Sequence, residues 1–257
     1  MLHHEVAGEG PGVALLHSTV CDSRMWDAEF AALAERCQVL RYDFRGFGRS
    51  PMPAEDWSSV DDLRGLLDEV GMERPALVGL SGGAAVALDF ALAEPDRVRA
   101  LVLAAPAVAG LPWSEEVRRY GEEEDALVEA GDLDSAVELT LRTWVDGPHR
   151  RPDAVDPAVR AKVGEMQRRA YELQLAAEPG EQRRLEPPAA ERFEEVAVPT
   201  LVIVGDADVP DILERAELLA RRVPGARKVV LPGVAHMVNL ERPEEFLRLL
   251  VEFLDGV

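Results

Sequence analysis

Six short apolar runs, rich in β-branched residues, recur along the chain and are separated by segments with helical periodicity. Such runs are typical of buried strands, and strands that alternate with helices indicate a parallel sheet covered on both faces. The runs are GVALLH (12–17), CQVLRYD (37–43), PALVGL (75–80), VRALVLAAP (98–106), PTLVIVG (199–205) and ARKVVLP (226–232). We therefore predict an α/β fold with a mostly parallel, twisted sheet flanked by helices.

One connection is much longer than the others. No strand-like run occurs in residues 107–197, where three amphipathic stretches are separated by Gly and Pro. Because ordinary connections in compact domains are short, this length predicts a helical lid or cap inserted into a core made of residues 1–106 and 198–257. The acidic run from Glu122 to Asp125 lies within this insertion, and we interpret it as a solvated helix face.

The composition argues against several classes of partner. The chain has 28 Lys and Arg and 48 Asp and Glu, which gives a formal net charge of −20. This charge disfavours binding to nucleic acid and to anionic membranes. Cys21 and Cys37 form neither a disulfide framework nor a metal-binding spacing. No secretory leader and no membrane-spanning apolar run is visible. These features predict a cytoplasmic protein, and they leave open a homodimer.

Ser81 lies in GLSGG (79–83), a G-x-S-x-G pattern. The pattern alone is weak, but here it directly follows a strand-like run and opens a helix-like one. A nucleophile elbow requires that context, because its turn is so tight that only small neighbours fit. The N–H of Gly82, at the helix N-terminus, would then stabilise an oxyanion. The alternative is that Ser81 is an ordinary small residue in a tight turn.

A serine nucleophile needs a base, and a carboxylate to orient that base. His236 lies in the loop before the last helix, where it can reach the carboxyl edge of the sheet. Asp208 follows the penultimate strand-like run and is the better acid by its place in the loop. The other candidates have simpler interpretations: His3 and His4 as terminal or strand residues, His17 and His149 as surface or loop residues, Asp206 as a turn former, and Asp211 as a helix N-cap.

The chain order Ser, Asp, His resembles that of the α/β-hydrolase superfamily. Asp208 matches its acid turn G-x-x-D, and GVAHMVNLERPEEF is similar to its histidine segment. YDFRGFGRS (42–50) resembles the D-x-R-G-x-G-x-S loop, which implies a structural turn. The insertion matches the position of the family's lid domain, after the sixth family strand. Among branches, the chain most resembles small bacterial esterases and the 3-oxoadipate enol-lactonase group.

The chain departs from the family pattern at two places. The family usually has His-Gly after the strand that ends at His17, whereas Ser18 stands in the glycine's place here. Alignment with that loop implies that Thr19 supplies the second oxyanion N–H. The segment LHHEVAGEGPG resembles the family's second strand, so the first strand is missing.

The resemblance implies hydrolysis of a carboxylic ester or lactone through an acyl-enzyme, with no metal and no organic cofactor. Serine at position 81 argues against the dehalogenase and epoxide hydrolase branches, which use aspartate there. Alternatives are perhydrolysis, C–C bond or thioester hydrolysis by the same triad, a biosynthetic cyclase, or a non-enzymatic binding protein that retains the fold. Four residues of the insertion would line an apolar pocket or pack the core of the cap: Trp113, Trp144, Met166 and Tyr171.

Overall fold

A computed structural model describes all residues from Met1 to Val257. Its centre is a seven-stranded sheet with the strand order β1-β3-β2-β4-β5-β6-β7. The strands are β1 (His4–Ala7), β2 (Gly12–Leu16), β3 (Gln38–Tyr42), β4 (Ala76–Leu80), β5 (Ala100–Ala104), β6 (Thr200–Gly205) and β7 (Arg227–Leu231). All six strand-like runs form strands, and the α/β class is confirmed.

Six of the seven strands are parallel, and only β1 runs antiparallel, against β3. The central strands β4, β5 and β6 are buried along their whole length. Burial on both faces explains why these strands are continuously apolar rather than alternating. At the first edge of the sheet lies β1, with no further strand beyond it.

Nine α-helices accompany the sheet. Their bounds are α1 (Asp27–Leu33), α2 (Ser59–Glu69), α3 (Gly82–Ala93), α4 (Glu115–Glu129), α5 (Leu133–Thr140), α6 (Pro157–Leu175), α7 (Pro210–Arg222), α8 (Val238–Glu241) and α9 (Pro243–Leu254). Parallel strands align their carboxyl ends at one edge of the sheet. The loops that leave β2, β4, β6 and β7 at that edge carry the predicted site residues.

The segment between β5 and β6, residues 107–197, contains α4, α5 and α6 and no strand; we call it the inserted segment. After α5 the chain continues as a π-helical stretch at Leu141–Asp146, which contains Trp144. Such stretches are rare and often lie at functional sites.

Arg150 ties the inserted segment to the loop that carries His236. Its guanidinium donates to both carboxylate oxygens of Glu241, at 2.6 and 3.0 Å, and to the carbonyl of Gly233 at 2.8 Å. Two further N–H groups reach the carbonyls of Asp146 and Val145. Only 13 % of the Arg150 side chain and 6 % of the Glu241 side chain are exposed, so this pair is largely shielded from water.

Candidate active site

Ser81 lies in the turn between β4 and α3 with φ 57° and ψ −115°. A positive φ is uncommon for a residue with a side chain and costs of the order of 1–3 kcal/mol. Neighbouring backbone holds it there: the Ser81 N–H donates to the Ala104 carbonyl at 2.9 Å, and the Ser81 carbonyl accepts from the Ala107 N–H at 3.2 Å. The strained turn leaves 9 % of Ser81 exposed at the carboxyl edge of the sheet.

The two outer glycines of GLSGG are required by close backbone approach. A Cβ atom on Gly79 would lie 2.2 Å from the Gly83 carbonyl oxygen, and one on Gly83 would lie 2.2 Å from the Leu16 carbonyl oxygen. Both distances are far below contact, so a side chain at either position would push α3 away from the sheet. The G-x-S-x-G spacing therefore follows from packing of the helix directly onto its strand.

Asp208 and His236 meet behind this turn. The Nδ1 atom of His236 donates to the Asp208 Oδ2 atom at 2.8 Å, and Asp208 Oδ1 accepts the Val209 N–H at 2.8 Å. A carboxylate can only accept, so Nδ1 carries a proton, and Nε2 is the ring nitrogen left to accept one. The side chains of Asp208 and His236 are each 1 % exposed.

The other two aspartates after β6 have different partners. Asp206 accepts the N–H of Gly233 at 2.6 Å, in keeping with a turn former. The prediction that Asp211 caps a helix is wrong: α7 begins at Pro210 with Val209 as N-cap. Because Asp211 already lies in the first turn, its carboxylate is free to accept the Ser114 N–H and hydroxyl, each at 2.7 Å, which joins the start of α4 to α7.

The loop after β2 faces Gly82. The backbone of Ser18 does not adopt a positive φ, so a glycine is not needed at this position. Its buried hydroxyl instead accepts the Val20 N–H at 3.4 Å. The N–H of Thr19 makes no hydrogen bond within the protein. The Thr19 methyl group would lie 2.5 Å from a Cβ atom on Gly82, so the two predicted oxyanion residues are in close contact.

His17 lies in the loop directly after β2 but is completely buried, so the prediction of a surface role is wrong. Its Nδ1 atom lies 2.8 Å from the Ser18 carbonyl, and its Nε2 atom accepts the Phe44 N–H at 2.8 Å. Burial lowers the pKa of His17, which keeps the ring neutral and its tautomer fixed by these partners. His17 therefore joins the β2 loop to the segment that resembles D-x-R-G-x-G-x-S.

That segment is a turn stabilised by Asp43. Its carboxylate accepts the Ser23 N–H at 2.9 Å and the Arg49 N–H at 2.8 Å, while Arg45 pairs with Asp62 at 2.6 Å. Neither side chain approaches Ser81 as a hydrogen-bond partner, in keeping with a structural turn.

A cavity of about 370 Å³ brings the predicted residues together. Its wall includes Ser81, Gly82, Thr19 and His236, and Asp208 lies behind His236. The Ser81 hydroxyl makes no hydrogen bond within the protein. In enzymes without substrate, hydrogen bonds between catalytic groups are often long, and they tighten when substrate binds. Within this structure, no group of three or more His, Cys, Asp or Glu side chains is arranged to hold a metal ion.

The inserted segment forms the opposite wall. Trp144 packs its ring against that of His236, with centroids 4.7 Å apart, and Trp113 and Tyr171 also line the cavity. Met166 does not; it is buried in the core. A second cavity, of about 410 Å³, adjoins the first at Gly82 and Thr19 and extends to Trp57 and Arg184.

Sequence reasoning missed Glu124. The interpretation of the acidic run as a solvated face fails at this residue, which is half-buried on the cavity wall. Its Oε1 atom accepts hydrogen bonds from Tyr120 at 2.7 Å and from Tyr171 at 2.5 Å. The available signal was the spacing of Tyr120 and Glu124, which places them on one helix face.

Comparison with known proteins identifies the family. The profile described as alpha/beta hydrolase family matches residues 13–249, nearly the whole chain. The chain belongs to the alpha/beta hydrolase family. It is a hydrolase, as the resemblance implied. None of its helices is both long and apolar enough to cross a bilayer.

Three proteins are similar to this α/β hydrolase along almost its whole length. Pimeloyl-acyl-carrier protein methyl ester esterase of Aeromonas hydrophila is 27% identical over 96% of each chain. Epoxide hydrolase A of Mycobacterium tuberculosis is 30% identical over 98% of this chain and 93% of its own. The enol-lactonase from Burkholderia xenovorans, known from a crystal structure, is 26% identical. It superposes with a TM-score of 0.81 over 99% of this chain and 96% of its own.

Proposed function

We propose that this α/β hydrolase cleaves a carboxylic ester or lactone of a small organic molecule through an acyl-enzyme intermediate. Ser81 is the nucleophile, His236 the general base and Asp208 the acid that orients it. The observation that carries the proposal is the buried 2.8 Å hydrogen bond between His236 Nδ1 and Asp208 Oδ2, beside a cavity whose wall also contains the strained Ser81.

The proposed reaction has two halves. The Ser81 Oγ atom attacks the substrate carbonyl carbon while His236 Nε2 takes the hydroxyl proton. The tetrahedral oxyanion accepts hydrogen bonds from the N–H groups of Gly82 and Thr19, each worth about 2.7–4 kcal/mol when well placed. The C–O bond then breaks, and the alkoxide leaves with the proton from His236. Water, deprotonated by His236, cleaves the acyl-enzyme and restores Ser81.

The relatives support ester or lactone hydrolysis more than epoxide hydrolysis. One is by name an esterase and another an enol-lactonase, and each aligns along almost the whole chain. The epoxide hydrolase is similarly related, but the epoxide hydrolase branch uses an aspartate nucleophile, whereas this chain has Ser81.

We also propose that the inserted segment is a lid over the cavity, because Trp113, Trp144 and Tyr171 form part of the cavity wall.

A fluorophosphonate probe tests the nucleophile. We expect the folded wild type to be labelled and Ser81→Ala to be unlabelled, with kcat on p-nitrophenyl acetate at least about 10⁴-fold lower. Ser135→Ala is a matched control, because this exposed serine uses only its N–H in a hydrogen bond. A folded wild type that neither reacts with the probe nor hydrolyses the ester would refute the proposal.

A further inference from the structure

Three hydroxyl groups converge on one carboxylate oxygen in the inserted segment. Tyr120, Tyr171 and Thr140 lie 2.7, 2.5 and 3.1 Å from Glu124 Oε1. The second oxygen, Oε2, makes no hydrogen bond within the protein. We call these residues, with Gln167, the Glu124 cluster. Glu124, Tyr120, Tyr171 and Gln167 all lie on the wall of the cavity that contains Ser81.

The protein supplies no positive charge to this carboxylate. The only side chains that contact Glu124 by hydrogen bonds are neutral hydroxyl groups, and Glu124 takes part in no salt bridge. Burial, together with the neighbouring Glu124 carboxylate, raises the pKa of Tyr120 and of Tyr171, so both hydroxyls stay protonated and act as donors. A carboxylate that lines a cavity without a cationic partner favours a positively charged ligand.

Gln167 provides an independent observation. Its Oε1 atom is buried without a hydrogen-bond partner, and the residue is only 4 % exposed. Buried polar atoms in native structures are nearly always paired, so an unpaired acceptor on a cavity wall indicates a missing donor. Gln167 and Glu124 come from different helices, α6 and α4, and both line the same cavity.

Aromatic rings complete this part of the cavity. Tyr120 packs edge-on against Trp144, with centroids 5.6 Å apart, and Trp144 contacts His236. Aromatic faces beside a carboxylate attract organic ammonium groups through the ring quadrupole. The net charge of −20 would also raise the local concentration of cations around the protein.

We propose that the ester or lactone cleaved at Ser81 carries an ammonium group, which is bound by Glu124 Oε2, Gln167 Oε1 and the adjacent aromatic rings. This inference rests on the proposed function and assigns its substrate class. The ammonium N–H groups donate to the two unpaired acceptors, and its charge offsets that of Glu124.

The test compares esters that differ only in charge. One pair is the p-nitrophenyl ester of ω-aminohexanoate and that of heptanoate, in which a methyl group replaces the ammonium. The other is 6-aminohexyl acetate and heptyl acetate, which differ in the same way. The pairs place the cation in the acyl half and in the leaving half, respectively. We expect kcat/KM to favour the cationic member of at least one pair by about tenfold or more.

Variants assign that preference to the cluster. Glu124→Gln keeps acceptors for Tyr120 and Tyr171 but removes the charge, and should lower the cationic-to-neutral ratio by about tenfold or more. Glu123→Gln makes the same change in net charge on the exposed neighbour and should leave the ratio unchanged. Gln167→Leu removes the amide, and with it the unpaired acceptor, without changing the net charge. It should lower the ratio severalfold, which gives a second measure if Glu124→Gln folds poorly.

The outcomes separate the two levels of the proposal. Hydrolysis of p-nitrophenyl acetate without a cationic preference in either pair overturns the substrate class and leaves the proposed function standing. A preference that survives in both Glu124→Gln and Gln167→Leu also overturns it. No hydrolysis of any ester by a folded protein overturns the proposed function and the substrate class together.

Discussion

The carboxyl edge of the sheet and the inserted segment form opposite walls of one cavity, but they are stabilised by different kinds of bond. At the sheet edge, Ser81 is held by backbone hydrogen bonds to the chain that leaves β5. In the inserted segment, Glu124 is held by side chains of α4, α5 and α6. A backbone-built wall tolerates few substitutions and suits chemistry. A wall of side chains can be changed residue by residue and suits substrate selection.

The largest effect should separate two neighbouring aspartates at the sheet edge. We expect Asp208→Asn to lower kcat on p-nitrophenyl acetate by about 10⁴-fold, because an amide no longer holds His236 in the reactive tautomer. Asp206→Asn keeps an acceptor for the Gly233 N–H and should change kcat by less than about threefold. Full activity in Asp208→Asn with loss in Asp206→Asn would show that the acid is misassigned.

An intermediate effect is expected where the edge must accommodate the β2 loop. Gly82→Ala would place a Cβ atom 2.5 Å from the Thr19 methyl group and displace the predicted oxyanion N–H groups. We expect kcat to fall by about 10²–10³-fold. Adding Thr19→Ala removes the clashing methyl group and should restore most of the rate. If the double variant is as slow as the single one, the clash with Thr19 is not the cause.

A smaller effect should reveal how firmly the two walls are joined. Arg150→Met leaves the Glu241 carboxylate buried without its cation, and should lower the free energy of unfolding in urea by about 2–3 kcal/mol. Arg248→Met breaks an exposed pair with Glu252 and should cost less than about 1 kcal/mol. Equal losses in the two variants would mean that shielding from water adds nothing to the Arg150 pair.

The sheet edge was largely predictable because its signals are local. A buried parallel strand reads as an apolar run, as in β4 and β6, and the elbow at Ser81 needs small residues at fixed positions beside it. Loop positions after successive parallel strands then bring Asp208 and His236 to the same edge.

The inserted segment was predictable only as a helical stretch. Whether Glu124 points to solvent or to the cavity depends on how α4 packs against α6, and amphipathic periodicity does not report which helices become neighbours. The same reason explains Asp211, whose partner Ser114 lies 97 positions away. His17 was missed because its two partners are backbone groups, which leave no trace in side-chain patterns.

The position of Arg150 has a consequence for how substrate reaches Ser81. Its guanidinium fastens the inserted segment to Gly233 and Glu241, on the side of the cavity where His236 lies. Away from that side, the first cavity adjoins the second at Gly82 and Thr19, and the second cavity extends to Trp57 and Arg184. If the inserted segment is the proposed lid, we expect substrate and product to pass through the second cavity, so that the proposed general base His236 lies at the far end of their path.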